Sequence, residues 1–255
     1  MASVTDTLRF RHVVFRNYRV WRKLIAASLV GNLVDPLFWL VGLGFGLGSL
    51  LPTVSGLPYL EFLGSGMICY GVMYSASFEA LWSAFARLKQ QRTWEGILHA
   101  PMTVTDIVVG EWVWAALKGT LSGVAIFIVM AALGLVRSPG ALWAFPLMLL
   151  TGLAFSGIAL VVTAVAKTYD HFVYYFTLFI TPMMLVSGVF FPTAQLPPAV
   201  QVIAQLLPLS HATQLMRAIV LGQPLAGAAG HLFALAAIAA VGVTVARALV
   251  ARRLR

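Results

Sequence analysis

The chain has 255 residues, of which 60% are hydrophobic and only 10% charged, and its mean hydropathy is +0.91. A soluble domain carries about 25% charged residues, so this composition excludes an ordinary water-soluble fold and demands a surface that faces lipid. The net charge of +9 would suit nucleic acid on a soluble protein, but here the cations flank long apolar runs, and no nucleic-acid partner is expected.

The single cysteine, Cys69, lies inside an apolar run, which leaves no intrachain disulfide and no cysteine zinc site. The histidines are scattered without metal-ligand spacing, so no metal is expected. The opening stretch is too long and too basic for a signal peptide, so the first apolar run is expected to stay in the mature protein.

In chain order, the first predicted element is a helix over 8–23. Wound at about 100° per residue, it puts Arg9, His12, Arg16, Arg19 and Lys23 on one face and Phe10, Val13, Val14, Val20 and Trp21 on the other. Such a helix lies in the membrane interface. Leu8 and Phe15 break the pattern, and the alternative is a disordered basic arm.

Apolar runs at 24–50, 59–84, 107–136, 141–166, 172–191 and 231–250 each approach or exceed the ~20 residues a spanning helix needs. Six spans put both termini on one side. Arg9, Arg11, Arg16, Arg19, Arg22, Lys23, Arg87, Lys89, Arg92, Lys167, Arg247, Arg252, Arg253 and Arg255 fall on that side. Arg137 and Arg217 fall on the other, and this asymmetry predicts cytoplasmic termini.

Span 1 carries Gly42, Gly44, Gly46 and Gly48, two small-xxx-small pairs suited to close helix packing, within the chain or across a homodimer seam. Asp35 in span 1 and Lys118 in span 3 sit at similar depth, roughly 16 Å in by helical rise. Either they pair, or each faces a wet cavity. Glu79 and Glu111 lie nearer the cytoplasmic ends of spans 2 and 3 and either reach water or tie the spans to the basic link between them. Tyr70, Tyr74 and Phe78 form a stripe on span 2, and Phe172, Tyr175, Phe176 and Phe179 cluster on span 5. They read as ordinary bundle packing or as an aromatic path for a sugar or lipid.

The link 85–103 has helical character, ends at Pro101 and mixes Arg87, Lys89, Arg92 and Glu95 with Trp94, Ile97 and Leu98. It suits docking in a partner's groove; the alternative is a solvated interfacial loop. The segment 192–222 holds Pro192, Pro197, Pro198 and Pro208 around two short apolar stretches, which read as interfacial or re-entrant helices near the outer surface. No phosphate-binding GxxxxGK[ST] loop, serine elbow or HExxH helix occurs, so any ATP is bound by another chain.

In the link the sequence resembles the ABC-2 family of transporter permeases. The resemblance rests on Trp94-Glu95-Gly96-Ile97-Leu98-His99-Ala100-Pro101-Met102, on Ala166-Lys167-Thr168-Tyr169-Asp170, and on the run from Thr181 and Pro182 through Gly188-Val189-Phe190-Phe191-Pro192. Leu196-Pro197-Pro198, Leu207-Pro208-Leu209-Ser210-His211-Ala212, Asn32-Leu33-Val34-Asp35-Pro36 and the glycine series complete it and look most like the nodulation J branch. The resemblance implies an all-α, type V exporter-like permease of six spans in a bacterial inner membrane, as a homodimer with two ATP-binding cassette subunits. ATP and magnesium would be bound by those subunits. Arg87, Lys89, Arg92, Trp94, Glu95, Ile97 and Leu98 would couple to the ATPase, with added contacts at Lys167 and Asp170. Span 1 and span 5 would line the seam and path. Relatives of this branch export lipo-chitooligosaccharides, and wider relatives export polysaccharides or drugs. Two other classes compete: a membrane-embedded enzyme acting on lipids or glycans, which would need convergent acids or a metal site, and a secondary transporter, which would typically show inverted repeats.

Overall fold

The computed structural model describes residues 8–225 and 227–254; Arg255 and the side chains of Ala27, Leu29, Asn32 and Leu33 lie outside the described residues. Helix α1 (Phe10–Trp21) is joined by a single tight turn to α2 (Ile25–Leu50), which contains Pro36. A two-stranded hairpin follows, β1 (Thr53–Val54) against β2 (Leu57–Pro58), turning at Ser55 and Gly56 with positive φ. It is a small departure from the all-helical expectation.

Helix α3 (Tyr59–Phe78) does not stop where the apolar run fades. It continues through π-helical turns at Glu79–Ser83 and Ala86–Gln90. Arg92 then takes a left-handed conformation at φ 48°, and α4 (Thr93–Leu98) follows as six residues. The link expected as one helix is therefore two pieces broken at Arg92.

Helix α5 (Val104–Ala132) starts three residues before its apolar run. Thr103 and Asp106 close a reciprocal capping box there, which satisfies otherwise unpaired backbone N–H groups. Helix α6 (Ala144–Val165) extends a short 3-10 turn at Pro139–Trp143. Helix α7 (Asp170–Tyr174), π-helical turns at Tyr175–Ile180 and α8 (Thr181–Val186) form one run that ends before Gly188 at φ 73°. The positive φ favours glycine and turns the chain, so the helix ends at Val186, five residues before the expected end of span 5. Helices α9 (Pro198–Leu206) and α10 (Pro208–Leu221) each open on a proline, as the 192–222 segment predicts, and α11 (Ala228–Arg253) closes the fold.

Among the described residues, three helical segments are long and apolar enough to cross a membrane by length and composition: Val104–Ala132, Pro139–Val165 and Ala228–Arg253. Val34–Leu50 and Asp170–Val186 are shorter apolar runs. Helix α3 falls outside both groups because it is the centre of the bundle. Its face is built of Gly64, Ser65, Gly66, Gly71, Ser75 and Ser77, and most of its side chains are buried against protein. Small residues let α5, α6 and α10 crowd around it. A close backbone approach also joins α6 to α11, where a methyl group added to Gly242 would lie 2.9 Å from the Gly157 carbonyl carbon.

Candidate functional site

The polar centre of the bundle lies at the end that carries the 85–103 link. Arg87 donates from Nε to Glu111 Oε1 at 2.9 Å and from Nη2 to Glu111 Oε2 at 2.5 Å, a forked pair. The same Nη2 reaches Glu79 Oε1 at 2.9 Å. Lys118 Nζ closes the set on Glu79 Oε2 at 2.8 Å. Two indoles supply the remaining donors, Trp114 to Glu79 at 3.0 Å and Trp94 to Glu111 at 3.2 Å. Two acids and two bases thus balance in a site where the glutamates are buried. An isolated charge there would cost several kcal/mol, and pairing with full hydrogen bonding offsets that cost.

This arrangement corrects the expected Asp35–Lys118 pair. Lys118 goes to Glu79, while Asp35 Oδ2 accepts from the Tyr70 hydroxyl at 2.8 Å. Depth alone did not set the partner. Because α3 runs on to Gln90, Glu79 sits well inside the helix, and the flexible Lys118 stem reaches toward it. Of the two readings for Glu79 and Glu111, the tie to the basic link is the one the geometry holds.

The link is also clamped from outside. Arg9 Nη1 donates to the Pro101 carbonyl at 2.7 Å, and Arg16 Nη2 to Thr93 Oγ1 at 3.4 Å, so α1, which packs against α5, holds the link at two points. Val13 and Asn17 are the buried residues of α1. Burial lowers the pKa of Arg16, the nearby Arg87 lowers it further, and Glu111 opposes both. On the far side, Lys89 Nζ donates to the Lys167 carbonyl at 2.5 Å, and Arg253 Nη1 donates to the carbonyls of Thr163 and Ala164 at 3.0 and 2.9 Å. Both described ends of the chain therefore sit at the link end.

The seven link residues read together as one docking surface separate into two groups. Trp94 is fully buried, Arg87 is inside the ionic set, and Ile97 and Leu98 pack on the core. Trp94 and Arg87 hold the link from within rather than facing outward, whereas Ile97 and Leu98 stay half-exposed. Lys89, Arg92 and Glu95 are exposed, as are Lys167 and Asp170 on the neighbouring turn. A cleft of about 450 Å³ opens beside the ionic set, lined by Arg16, Trp21, Trp82, Arg87, Trp114 and Lys118.

The aromatic stripes on α3 and the α7–α8 run do meet. Tyr70 and Tyr74 lie 5.8 Å apart, Tyr74 meets Phe176 edge-on at 5.2 Å, and Phe78 stacks on Trp82 at 4.7 Å. Trp82 in turn contacts Phe172 and Phe176 at 5.3 Å each. Tyr175 and Phe179 are 5.4 Å apart, but Tyr175 points inward, its hydroxyl 3.3 Å from Ser77 Oγ. Tyr74, Phe78 and Phe179 remain accessible at the edge of this lattice. In α2 the glycines divide. A methyl group at Gly44 would collide with Leu60 of α3, and Gly48 faces Tyr59, whereas Gly42 and Gly46 have open space.

Two features escaped the residue pattern although a signal was present. Glu111, Trp114 and Lys118 follow i, i+3, i+7 on α5 and mark one polar face. His211 and His231, twenty residues apart in sequence, meet through their Nδ1 atoms at 2.8 Å across α10 and α11.

The profile of the ABC-2 type transporter family matches residues 9–221. Nodulation protein J of Rhizobium meliloti (strain 1021) is 46% identical over 239 residues, 94% of this chain and 91% of that relative. Nodulation protein J of Bradyrhizobium diazoefficiens is 48% identical over the same length, covering 94% and 91%. Inner membrane transport permease YadH of Escherichia coli (strain K12) is 28% identical over 200 residues, 77% of this chain and 75% of the relative. With the multi-pass helical build and the family's association with a separate ATP-binding subunit, these matches identify a membrane component that is not itself the catalyst: the chain belongs to the ABC-2 type transporter family, as a permease.

Proposed function

We propose that this permease exports an amphipathic or glycan-type cargo, of the lipo-oligosaccharide kind, across a bacterial inner membrane. In this reading α2, α3, α5, α6, the α7–α8 run and α11 are the six spans, both termini are cytoplasmic, and two copies work with two ATP-binding cassette subunits. The shared position of the two chain ends supports an even number of crossings, and the cation excess at that end supports its cytoplasmic placement. The resemblance to the nodulation J proteins supports the cargo class.

The carrying observation is the ionic set. It fastens the link simultaneously to α3 through Glu79 and to α5 through Glu111, while Lys89, Arg92 and Glu95 stay exposed on the opposite surface. A partner that pushes on the exposed surface moves two spans rather than a loose loop. Nucleotide acts only through a difference in contact energy between permease conformations, and this surface is where that difference would enter. Tyr74, Phe78 and Phe179 line the proposed path, and open Gly42 and Gly46 offer the proposed seam.

The test is Glu95→Arg in the complex reconstituted with its ATP-binding subunit. The side chain is exposed, so expression and melting temperature should match the parent, while ATP-driven export is lost. Export at the parental rate would overturn the coupling assignment, and failure of any ATP-binding protein to co-purify with the parent chain would overturn the assembly.

A further inference from the structure

At the opposite end of the bundle, Arg217 of α10 is a cation without a countercharge. Its Nε donates to Ser65 Oγ at 3.2 Å, and its Nη2 donates to the carbonyls of Phe62 at 3.2 Å and Gly188 at 2.8 Å. Its guanidinium also covers the Phe62 ring at 3.7 Å. All of these partners are neutral. Among the described residues, no carboxylate lies within ion-pair distance of it; the nearby acid Glu61 is engaged by Arg137. A guanidinium carries five N–H donors, and the bonds above are made by Nε and Nη2, so Nη1 is left to address the adjoining space.

That space is a cleft of about 190 Å³ lined by Ser187, Thr193, Thr213, Gln214, Arg217 and Gln223. Ser187 Oγ is buried there with no hydrogen-bond partner. Buried polar groups are nearly always satisfied, so this hydroxyl is available to a water or an anion entering the cleft. The polar part of the lining is hydroxyls and amides around one cation, with no acid, beside apolar Leu57, Phe62 and Pro192, which is an environment for an anion on an organic ester. The size suits one tetrahedral oxyanion with its attached ester rather than a whole lipid or sugar chain.

We propose that this cleft binds a phosphate or sulfate group, presented by a lipid headgroup or by the exported molecule, at the end of the permease away from the link. The assignment to the outer leaflet rests on the sidedness proposed above; binding itself does not. Arg217 supplies the charge, and Ser187 donates its free hydroxyl.

The experiment uses the purified full chain in nanodiscs of neutral phosphatidylcholine, without ATPase, and reads melting temperature against sodium sulfate at constant ionic strength. Gln214 sits one helical turn before Arg217, so Gln214→Glu is an isosteric change that places a carboxylate at the cleft. The parent should show a saturable rise with sulfate, while Gln214→Glu starts higher and loses the saturable part. The general stabilising action of sulfate is shared by both and does not saturate. Ser187→Ala should weaken the response without abolishing it. If phosphatidylglycerol in the nanodisc raises the parent's melting temperature and removes its sulfate response, the group comes from lipid; if sulfate still acts, it comes from the cargo side. No saturable rise in the parent, or an equal rise in Gln214→Glu, overturns the site. Neither outcome depends on transport, so loss of export alone leaves this test unaffected.

Discussion

Replacing Arg87 with Met tests the ionic set most directly. The change keeps most of the side chain's length but removes three hydrogen bonds and the charge facing Glu79 and Glu111. The two acids are not affected equally. Glu79 keeps Lys118 and Trp114, whereas Glu111 is left with the Trp94 N–H alone. Glu111 is 1% exposed and Arg87 12%, so solvent cannot replace the lost partner. Removing one member of such a buried pair costs about 3–5 kcal/mol, because the other charge stays buried. Glu111→Gln added to Arg87→Met restores neutrality, with Glu79 and Lys118 still paired. The double variant should therefore lose less than the sum of the two singles, with a coupling energy of about 0.5–3 kcal/mol. Unfolding in mixed detergent micelles, followed by tryptophan fluorescence, reads all four corners of the cycle. Additive losses, or an Arg87→Met protein as stable as the parent, would falsify the clasp.

Three further outcomes follow from the same structure. Burial and the facing His231 lower the pKa of His211, so its neutral form is favoured when folded. The unfolded chain then takes up more protons near the ordinary histidine pKa; this stability is complete above that value and is lost as pH falls through and below it. Melting temperature should drop between about pH 7.5 and 5.5, and His211→Gln should remove this part of the dependence. Gly44→Leu should destabilise by about 1–3 kcal/mol through collision with Leu60, while Gly46→Leu should be near neutral in the monomer and show itself only in assembly. Trp94→Phe removes the pyrrole part of the buried indole and with it one donor to Glu111, and should cost at least about 1–3 kcal/mol in detergent unfolding.

The apolar runs were legible in sequence because lipid imposes length and composition directly. Their ends were less so. Thr103 moved the start of α5 through its cap, and Gly188 cut the fifth run short through its backbone conformation. The polar residues of the site were visible by type, but not by pairing. Asp35 and Lys118 matched in depth, yet each turn of a helix also fixes an azimuth, and theirs diverged toward Tyr70 and Glu79. The cations read as a surface for lipid and a partner are partly engaged by the chain itself: Arg9, Arg16, Arg87 and Arg253 bind groups within it, while Lys89 stays exposed. Trp94 was read as part of the outward surface of its segment and is buried instead, since aromatic content does not say which way a short helix faces.

The π-helical turns change how this bundle tolerates changes of length. A π turn holds one more residue than the α turn it replaces. Removing a single residue within Glu79–Ser83 can therefore restore ordinary helix above and below it, with the loss absorbed locally. The same deletion inside regular α5 would rotate everything beyond it by about 100°. The tract at Tyr175–Ile180 offers a second slack point facing the first through Trp82 and Phe176. The two helices that carry the aromatic lattice thus have a built-in reserve of register, whereas α5, α6 and α11 behave as fixed rulers against which any slip is measured.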